Sequence, residues 1–533
     1  MPPPAPTWPG GLDLALAVLA GGLHAFAFST TEAPWLQTAC VALLAWRVAA
    51  AASASRAALL GGLFSTAWLL GGVWWLFISL HRYGGMPAWL AALAVVLLCA
   101  VLSLYLAGAM AAWWRWRAGR PIADAGLFAA VWLAAELARG LLFTGFPWVA
   151  TGYAHIDGAL AGWASWLGVY GIGAVSAAVA ALLAAGLGGG AARGAPSGAP
   201  APSVPPLRPA NRARWLQKGG PLTLAAALWW GPLALPQDFT RPSGTISVAL
   251  LQGNVPQDEK FAPDRQPETL AWVGRMLALA DADLVVAPET AIPLLPQQLP
   301  EGYWEALRSA FEGGERAALV GLPLGSFEAG YTNSVAGLSA QAAARPGGFY
   351  RYDKHHLVPF GEFIPAGFRW FVDLMKMPLG DFNRGPLNAP SFPVRGERIG
   401  PNVCYEDLFG EELAARFADP ATAPTVFANL SNIAWFGETV AIDQHLQISR
   451  MRTLELQRPM LRATNTGATV VIDHRGRVTH WLAPHTQGVL QGRVQGREGL
   501  TPFARWAAAF GLWPLAALAL LLGWGSVLGR PRR

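Results

Sequence analysis

Cys404 follows a short apolar run, in Asn402-Val403-Cys404-Tyr405-Glu406-Asp407, and no other cysteine lies in the long polar stretch of the chain. Upstream stand Glu289, in Ala287-Pro288-Glu289-Thr290, and Lys354, in Tyr352-Asp353-Lys354-His355. A thiol attacks as thiolate, and with a reference pKa of about 8.5 it needs a base or a positive neighbour. Glu289 can take the proton, and Lys354 can stabilise the charge that develops on a tetrahedral intermediate. Singly, each has a plainer reading: a helix-start carboxylate, a solvated ammonium, a buried thiol. Together, each at the end of a strand-like run, they suggest covalent chemistry at the strand ends of a layered α/β domain, where such sites gather.

The elements that must position them are unusual in composition. Hydrophobic residues make up 53% of the 533 residues and charged residues 14%, against roughly 25% charged in a soluble protein. The charge is concentrated outside several long apolar runs, so the chain reads as a polytopic membrane protein. A site of this kind beside a bilayer points to lipid or acyl chemistry. The net charge of +6 is modest, and no basic stripe with interleaved aromatics argues for nucleic acid. Cys40 and Cys99 fall in apolar spans as small buried hydrophobes, which leaves Cys404 without a partner and excludes a disulfide framework.

A membrane helix needs about 20 apolar residues. Eight spans are expected, near 11–30, 35–54, 57–81, 88–114, 124–144, 161–187, 221–237 and 505–528. Arginine and lysine accumulate in the connections after spans two, four and six and in the tail, for example Arg115, Arg117, Arg120, Arg212, Arg214 and Lys218. The positive-inside rule then makes both termini cytoplasmic and puts the polar block between spans seven and eight on the opposite side, the periplasm in a bacterium with two membranes. Residues 188–209, rich in Gly, Ala, Pro and Ser, read as a flexible linker. The expected domains are a bundle of seven helices over 1–241, a catalytic domain over 242–494, and a last span with its tail over 495–533.

Within the polar block strand-like runs recur at Thr245–Gln252, Asp283–Ala287, Ala317–Leu322, Asn333–Leu338, Gly348–Tyr352, Ile399–Cys404, Thr425–Asn429 and Thr469–Asp473. Helical patterns at Glu268–Ala280, Tyr303–Phe311 and Asp443–Gln457 fall between them. This alternation predicts a layered α/β domain.

At three motifs the chain resembles the nitrilase superfamily: Val285-Val286-Ala287-Pro288-Glu289-Thr290, Tyr352 through Glu362, and Cys404-Tyr405-Glu406. With Gln252-Gly253-Asn254-Val255-Pro256-Gln257 opening the domain, and with Glu136-Leu137-Ala138-Arg139, Gly145-Phe146-Pro147-Trp148 and Gly152-Tyr153 in the membrane part, it is similar to the apolipoprotein N-acyltransferases of bacteria. The resemblance implies an αββα sandwich beside a transmembrane bundle in the inner membrane. It implies Glu289 as general base, Cys404 as nucleophile and Lys354 as oxyanion stabiliser, supported by Glu362, Tyr405 and Glu406. It also implies a phospholipid acyl donor cleaved at sn-1, usually phosphatidylethanolamine, a thioester on Cys404, and as acceptor the N-terminal amine of a diacylated lipoprotein. No cofactor is expected and the chain is read as a monomer. Where family members often carry tryptophan this chain has Phe261, so no hydrogen-bonding role is assigned there.

Further features complete the reading. Phe368, Trp370, Phe371, Leu374 and Met375 make residues 364–382 apolar and irregular, either for domain packing or as an arm that meets the outer leaflet and gates lipid substrates. Glu136 and Arg139, three apart in a span, can share a helix face as a structural pair or a headgroup contact. His355, His356, His445 and His474 have no zinc-like spacing. Two other functions remain open: a membrane-anchored carbon–nitrogen hydrolase with the same triad, and a transporter or receptor in which Cys404 is inert.

Overall fold

The computed structural model describes residues 10–28, 33–186, 211–365, 367–369 and 381–528. The linker expected at 188–209 lies outside them, as do Trp370, Phe371, Leu374 and Met375 of the proposed arm. The chain divides into two compact units, one made of Met1–Trp74, Leu93–Gln237 and Leu512–Arg533, the other of Trp75–Ala92 and Asp238–Gly511.

The first unit is helical: α1 (Gly10–Phe26), α2 (Pro34–Ala49), α3 (Ala54–Val73), α4 (Ala88–Trp116, most of it), α5 (Pro121–Leu141), α6 (Ala164–Ala184), α7 (Asn211–Trp230) and a final helix Trp513–Leu528. Helices coincide with all eight expected spans. Among the described residues, however, only Ala54–Val73, Ala88–Trp116, Pro121–Thr144 and Ala159–Ala184 are each long and apolar enough to cross a membrane. The pair Pro502–Phe510 and Trp513–Ser526 makes a fifth if counted as one bent span. The shortfall has local causes. α1 and α2 are 17 and 16 residues long and carry an ion pair, Arg47 Nη2 to Asp13 Oδ1 at 2.7 Å. α7 includes Arg212, Arg214 and Lys218 and an internal Pro221. The span expected over 505–528 is interrupted at Gly511, whose φ of +56° ends a helix. Inside this unit Glu136 and Arg139 are buried and lie 3.7 Å apart. Arg139 Nη1 donates to the Phe146 and Trp148 carbonyls, while Glu136 Oε1 accepts from the Thr151 amide, so the pair ties down the turn after α5.

The second unit contains two six-stranded sheets. The first runs β12-β1-β2-β3-β4-β5, with β1 (Thr240–Gln252), β2 (Leu284–Val286), β3 (Ala317–Ser326), β4 (Gly330–Leu338), β5 (Tyr350–Asp353) and β12 (Gly488–Gly499). The second runs β11-β10-β9-β8-β7-β6, with β6 (Phe392–Val394), β7 (Glu397–Val403), β8 (Val426–Ser431), β9 (Met460–Thr464), β10 (Thr469–Ile472) and β11 (Val478–Leu482). In each sheet three central strands are parallel, β1-β2-β3 and β7-β8-β9, and antiparallel strands flank them. Val286, Leu319, Ile399, Val403, Leu430 and Ala463 belong to one buried core drawn from both sheets. Their near-continuous apolar runs are what parallel strands covered on both faces require. α8 (Gln266–Leu279) and α9 (Tyr303–Glu312) cover the outer face of the first sheet through Leu270, Val273, Leu277, Trp304, Leu307 and Phe311. α10 (Gly410–Ala415) and α11 (Ala441–Leu456) accompany the second. The layers are therefore α, β, β, α. Pro502–Phe510 closes this unit.

Candidate active site

The carboxyl ends of the parallel strands converge on one polar centre. Glu289 lies three residues beyond β2. It can sit so close to β3 because position 321 is glycine: a Cβ there would stand 2.3 Å from the Pro288 carbonyl and 2.8 Å from Glu289 Cα. Lys354 follows β5, its amide donating to the Asn333 carbonyl at 2.9 Å and its carbonyl accepting from Gly385 at 2.8 Å. Cys404 follows β7 in the left-handed region, φ +52°. That conformation costs roughly 1–2 kcal/mol in a non-glycine residue and turns the side chain sharply off the strand.

Neighbouring contacts hold this turn. Cys404 O accepts from Asn429 Nδ2 at 3.2 Å and from His445 Nε2 at 3.3 Å. Ser431 Oγ donates to Cys404 Sγ at 3.4 Å. His445 Nε2 also meets Asp407 Oδ1 at 2.9 Å, and Arg462 Nη2 approaches His445 Nδ1 at 3.2 Å. Because the guanidinium can only donate, Nδ1 is the acceptor and the proton sits on Nε2, facing Cys404 and Asp407. Ser449 hydrogen-bonds both Asp407 and Arg462.

The acid–base groups form a compact network. Lys354 Nζ lies 2.9 Å from Glu362 Oε1 and 3.6 Å from Glu289 Oε1. Asn333 Nδ2 donates to the same two oxygens, at 2.6 Å and 2.8 Å. Glu289 Oε2 accepts the Asn432 amide at 2.8 Å, and Glu362 Oε2 the Val358 amide at 2.8 Å. Burial pulls the Lys354 pKa down, but the Glu362 and Glu289 carboxylates more than offset this and hold it above its ordinary value; the ammonium stays charged. The Cys404 thiol is pushed up to about 12 by burial and by the Glu289 carboxylate, with Lys354 and Ser431 pulling the other way. The resting sulfur is therefore a thiol. The proton leaves only when a base removes it, and the Glu289 carboxylate raises the cost of an anion on that sulfur.

Glu362 thus touches Lys354 directly. Glu406 does not; its carboxylate accepts from Tyr352 Oη at 2.7 Å and from the amides of His355 at 2.7 Å, His356 at 3.2 Å and Val403 at 2.6 Å. It welds the turn after β5 to the end of β7. Tyr405 is buried, its ring 5.7 Å from His356 and 5.3 Å from Phe409. Phe261 and Phe368 are half exposed, and Phe368 packs edge-on against Phe360 at 5.4 Å. Among the described residues no three His, Cys, Asp or Glu side chains gather to hold a metal ion.

Asn333, Ser431, Asn432 and Lys260 also belong to this centre, and the sequence reading did not single them out. Asn432 and Ser431 share the signal that pointed to the triad, polar residues where a strand-like run stops.

Comparison with known proteins bears on both parts of the chain. A model of the apolipoprotein N-acyltransferase N-terminal domain matches residues 20–182, and a carbon-nitrogen hydrolase model matches 247–502. The chain is 53% identical over 498 residues to an apolipoprotein N-acyltransferase of Verminephrobacter eiseniae, covering 90% of this chain and 88% of that one. It is 46% identical over 512 residues to one of Ralstonia nicotianae, covering 95% and 92%. Among solved structures, a carbon-nitrogen hydrolase of Helicobacter pylori aligns with 54% of this chain and 99% of its own at 16% identity and a TM-score of 0.35.

Proposed function

Because this chain belongs to the apolipoprotein N-acyltransferase family, we infer that it moves a fatty acyl chain from a phospholipid, through a thioester on Cys404, to the N-terminal amine of S-diacylglyceryl-cysteine in a lipoprotein precursor. The single observation that carries this reading is the Glu289–Lys354–Glu362 network gathered around a thiol that keeps its proton at rest.

In the first half-reaction Glu289 takes the Sγ proton and the sulfur attacks the sn-1 ester carbonyl, phosphatidylethanolamine being the expected donor. Lys354 stabilises the oxyanion of the tetrahedral intermediate. Collapse expels the glyceryl oxygen, which recovers the proton from Glu289, leaving lysophospholipid and thioester. In the second half-reaction the acceptor amine attacks the thioester, gives a proton to Glu289, and expels the sulfur, which is reprotonated. A thioester is more reactive toward amines than the original ester, so covalent catalysis divides one difficult transfer into two easier steps. Glu362 orients Lys354, while Glu406 and Tyr405 hold the turn that carries the nucleophile.

The basic connections and apolar helices support a multi-pass protein of the inner membrane with eight spans and a periplasmic catalytic domain over 242–494, acting as a monomer. The match to a carbon-nitrogen hydrolase model supports a second reading in which water discharges the thioester. Incubation with phosphatidylethanolamine and a diacylated lipopeptide separates the two. Triacylated lipopeptide, absent with Cys404→Ala, supports transfer; free fatty acid as the sole acyl product would establish hydrolysis.

A further inference from the structure

Lys260 lies in the turn after β1 and is 4% exposed. Its Nζ donates to the main-chain carbonyl of Glu289 at 3.0 Å. The turn is firmly placed. The Glu259 and Lys260 amides donate to the Pro256 carbonyl at 3.1 Å and 3.0 Å. Gln257 Oε1 accepts from Asn432 Nδ2 at 2.7 Å, and Asn465 binds both polar groups of the Val255 main chain, at 2.7 Å and 3.0 Å. Asn432 also donates its amide to Glu289, so one residue fixes both the lysine and the carboxylate.

An amide side chain could make the same bond to a main-chain carbonyl. Burying an ammonium instead costs several kcal/mol unless anions offset it. The charges that favour the Lys260 ammonium are the Glu289 carboxylate and, once its proton has left, the Cys404 sulfur. Lys354 is already in contact with two carboxylates, Glu289 and Glu362, whose Oε1 atoms share both its Nζ and the single amide nitrogen of Asn333. Two buried carboxylates with one ammonium leave one negative charge unmatched, and a protonated Glu289 cannot serve as base. A second ammonium balances the count of charges: two positive charges match those of Glu289 and Glu362 before proton transfer, and those of the Cys404 thiolate and Glu362 after it.

Resting on the assignment of Glu289 as base and Cys404 as nucleophile, we propose that Lys260 is the counter-charge that keeps Glu289 ionised, a positioning residue acting through the base. The step it serves is a single proton transfer from Cys404 Sγ to a Glu289 oxygen, with no change in net charge. Burial pulls the Lys260 pKa down to about 8 while Glu289 and Cys404 resist. Its charge is therefore present throughout the acid and neutral range.

The test is the pH profile of kcat/KM for the full-length protein in detergent, with phosphatidylethanolamine and a diacylated lipopeptide. Lys260→Met and Lys260→Gln, the latter keeping the main-chain hydrogen bond, are expected to move the acidic limb to higher pH by about one unit, a roughly tenfold loss on that limb. Lys260→Arg should hold the limb near its wild-type position. Melting curves establish that each variant is folded. An unshifted limb in folded Lys260→Met or Lys260→Gln protein would overturn the proposal. Glu289→Gln and Cys404→Ala controls keep this separate from the enzymatic reading: their activity would defeat the assigned base and nucleophile, whereas their inactivity beside an unshifted limb defeats only the role of Lys260.

Discussion

The backbone amide of Asn432 donates to Glu289 Oε2 at 2.8 Å, joining the end of β8 in one sheet to the residue that follows β2 in the other. With Asn333 on Oε1, both oxygens of the carboxylate are aimed before any substrate arrives. Orientation of this kind is worth kilocalories in the transition state.

Asn333 is the hinge of that arrangement, since its Nδ2 serves both Glu289 and Glu362. Asn333→Ala is expected to lower kcat by about 10- to 100-fold, the range for losing hydrogen bonds to charged groups, with KM changed less. Asn333→Asp, which adds a negative charge between two carboxylates, should be worse than alanine. Steady-state kinetics on both variants checks the order.

Glu406 accepts four hydrogen bonds and is buried. Glu406→Ala strands those donors, each costing about 1–3 kcal/mol, and should lower the melting temperature sharply along with activity. Tyr352→Phe removes one of the four and should cost about 1 kcal/mol. Similar melting of the two variants would show that Glu406 does not weld the turn.

Asp407 supplies a pH signature. Burial pushes its carboxyl pKa up, but His445, Arg462 and Ser449 pull harder, and the net shift is downward. A depressed carboxylate contributes stability above its unfolded pKa and loses it as pH falls through the folded value. Asp407→Asn should therefore be less stable than wild type at neutral pH, by about 3–5 kcal/mol for a broken buried pair. The gap should close below about pH 4, near the reference Asp value. Melting curves across pH measure it, and a constant gap would exclude the ionic origin.

Trp75 braces the loop that follows Asn432. It is 1% exposed, its indole nitrogen donates to Gln444 Oε1 at 3.1 Å, and its ring lies 4.2 Å from that of Phe436. Trp75→Ala should cost about 3–5 kcal/mol and raise amide exchange over residues 431–437; Trp75→Phe should retain most of the protection. Unchanged exchange in the alanine variant would leave the loop independent of Trp75.

Much of this was legible in the chain because strand ends carry their own signature. Val285-Val286 before Glu289 and the apolar run before Cys404 are buried parallel strands, and their apolar continuity is readable without partners. β12 was not legible: Gly488–Gly499 alternates polar and small residues and is a strand only because β1 pairs along it. β6, three residues long, depends likewise on β7. Lys260 and Asn333 escaped for another reason. Their roles come from contacts with Glu289, with its main-chain carbonyl for Lys260 and its carboxylate for Asn333, which lies 29 and 44 residues away from them in sequence. The bend at Gly511 was hidden because apolar residues continue on both sides of it, and hydropathy does not report φ.

The central claim is tested most directly by mass spectrometry of the intact protein after incubation with phosphatidylethanolamine, with and without a diacylated lipopeptide. The account predicts an acyl-sized mass increase mapped to Cys404, sensitive to hydroxylamine and discharged by the lipopeptide as triacylated product appears. Active protein that never carries acyl mass on Cys404, or a Cys404→Ala protein that transfers at the parental rate, would contradict it.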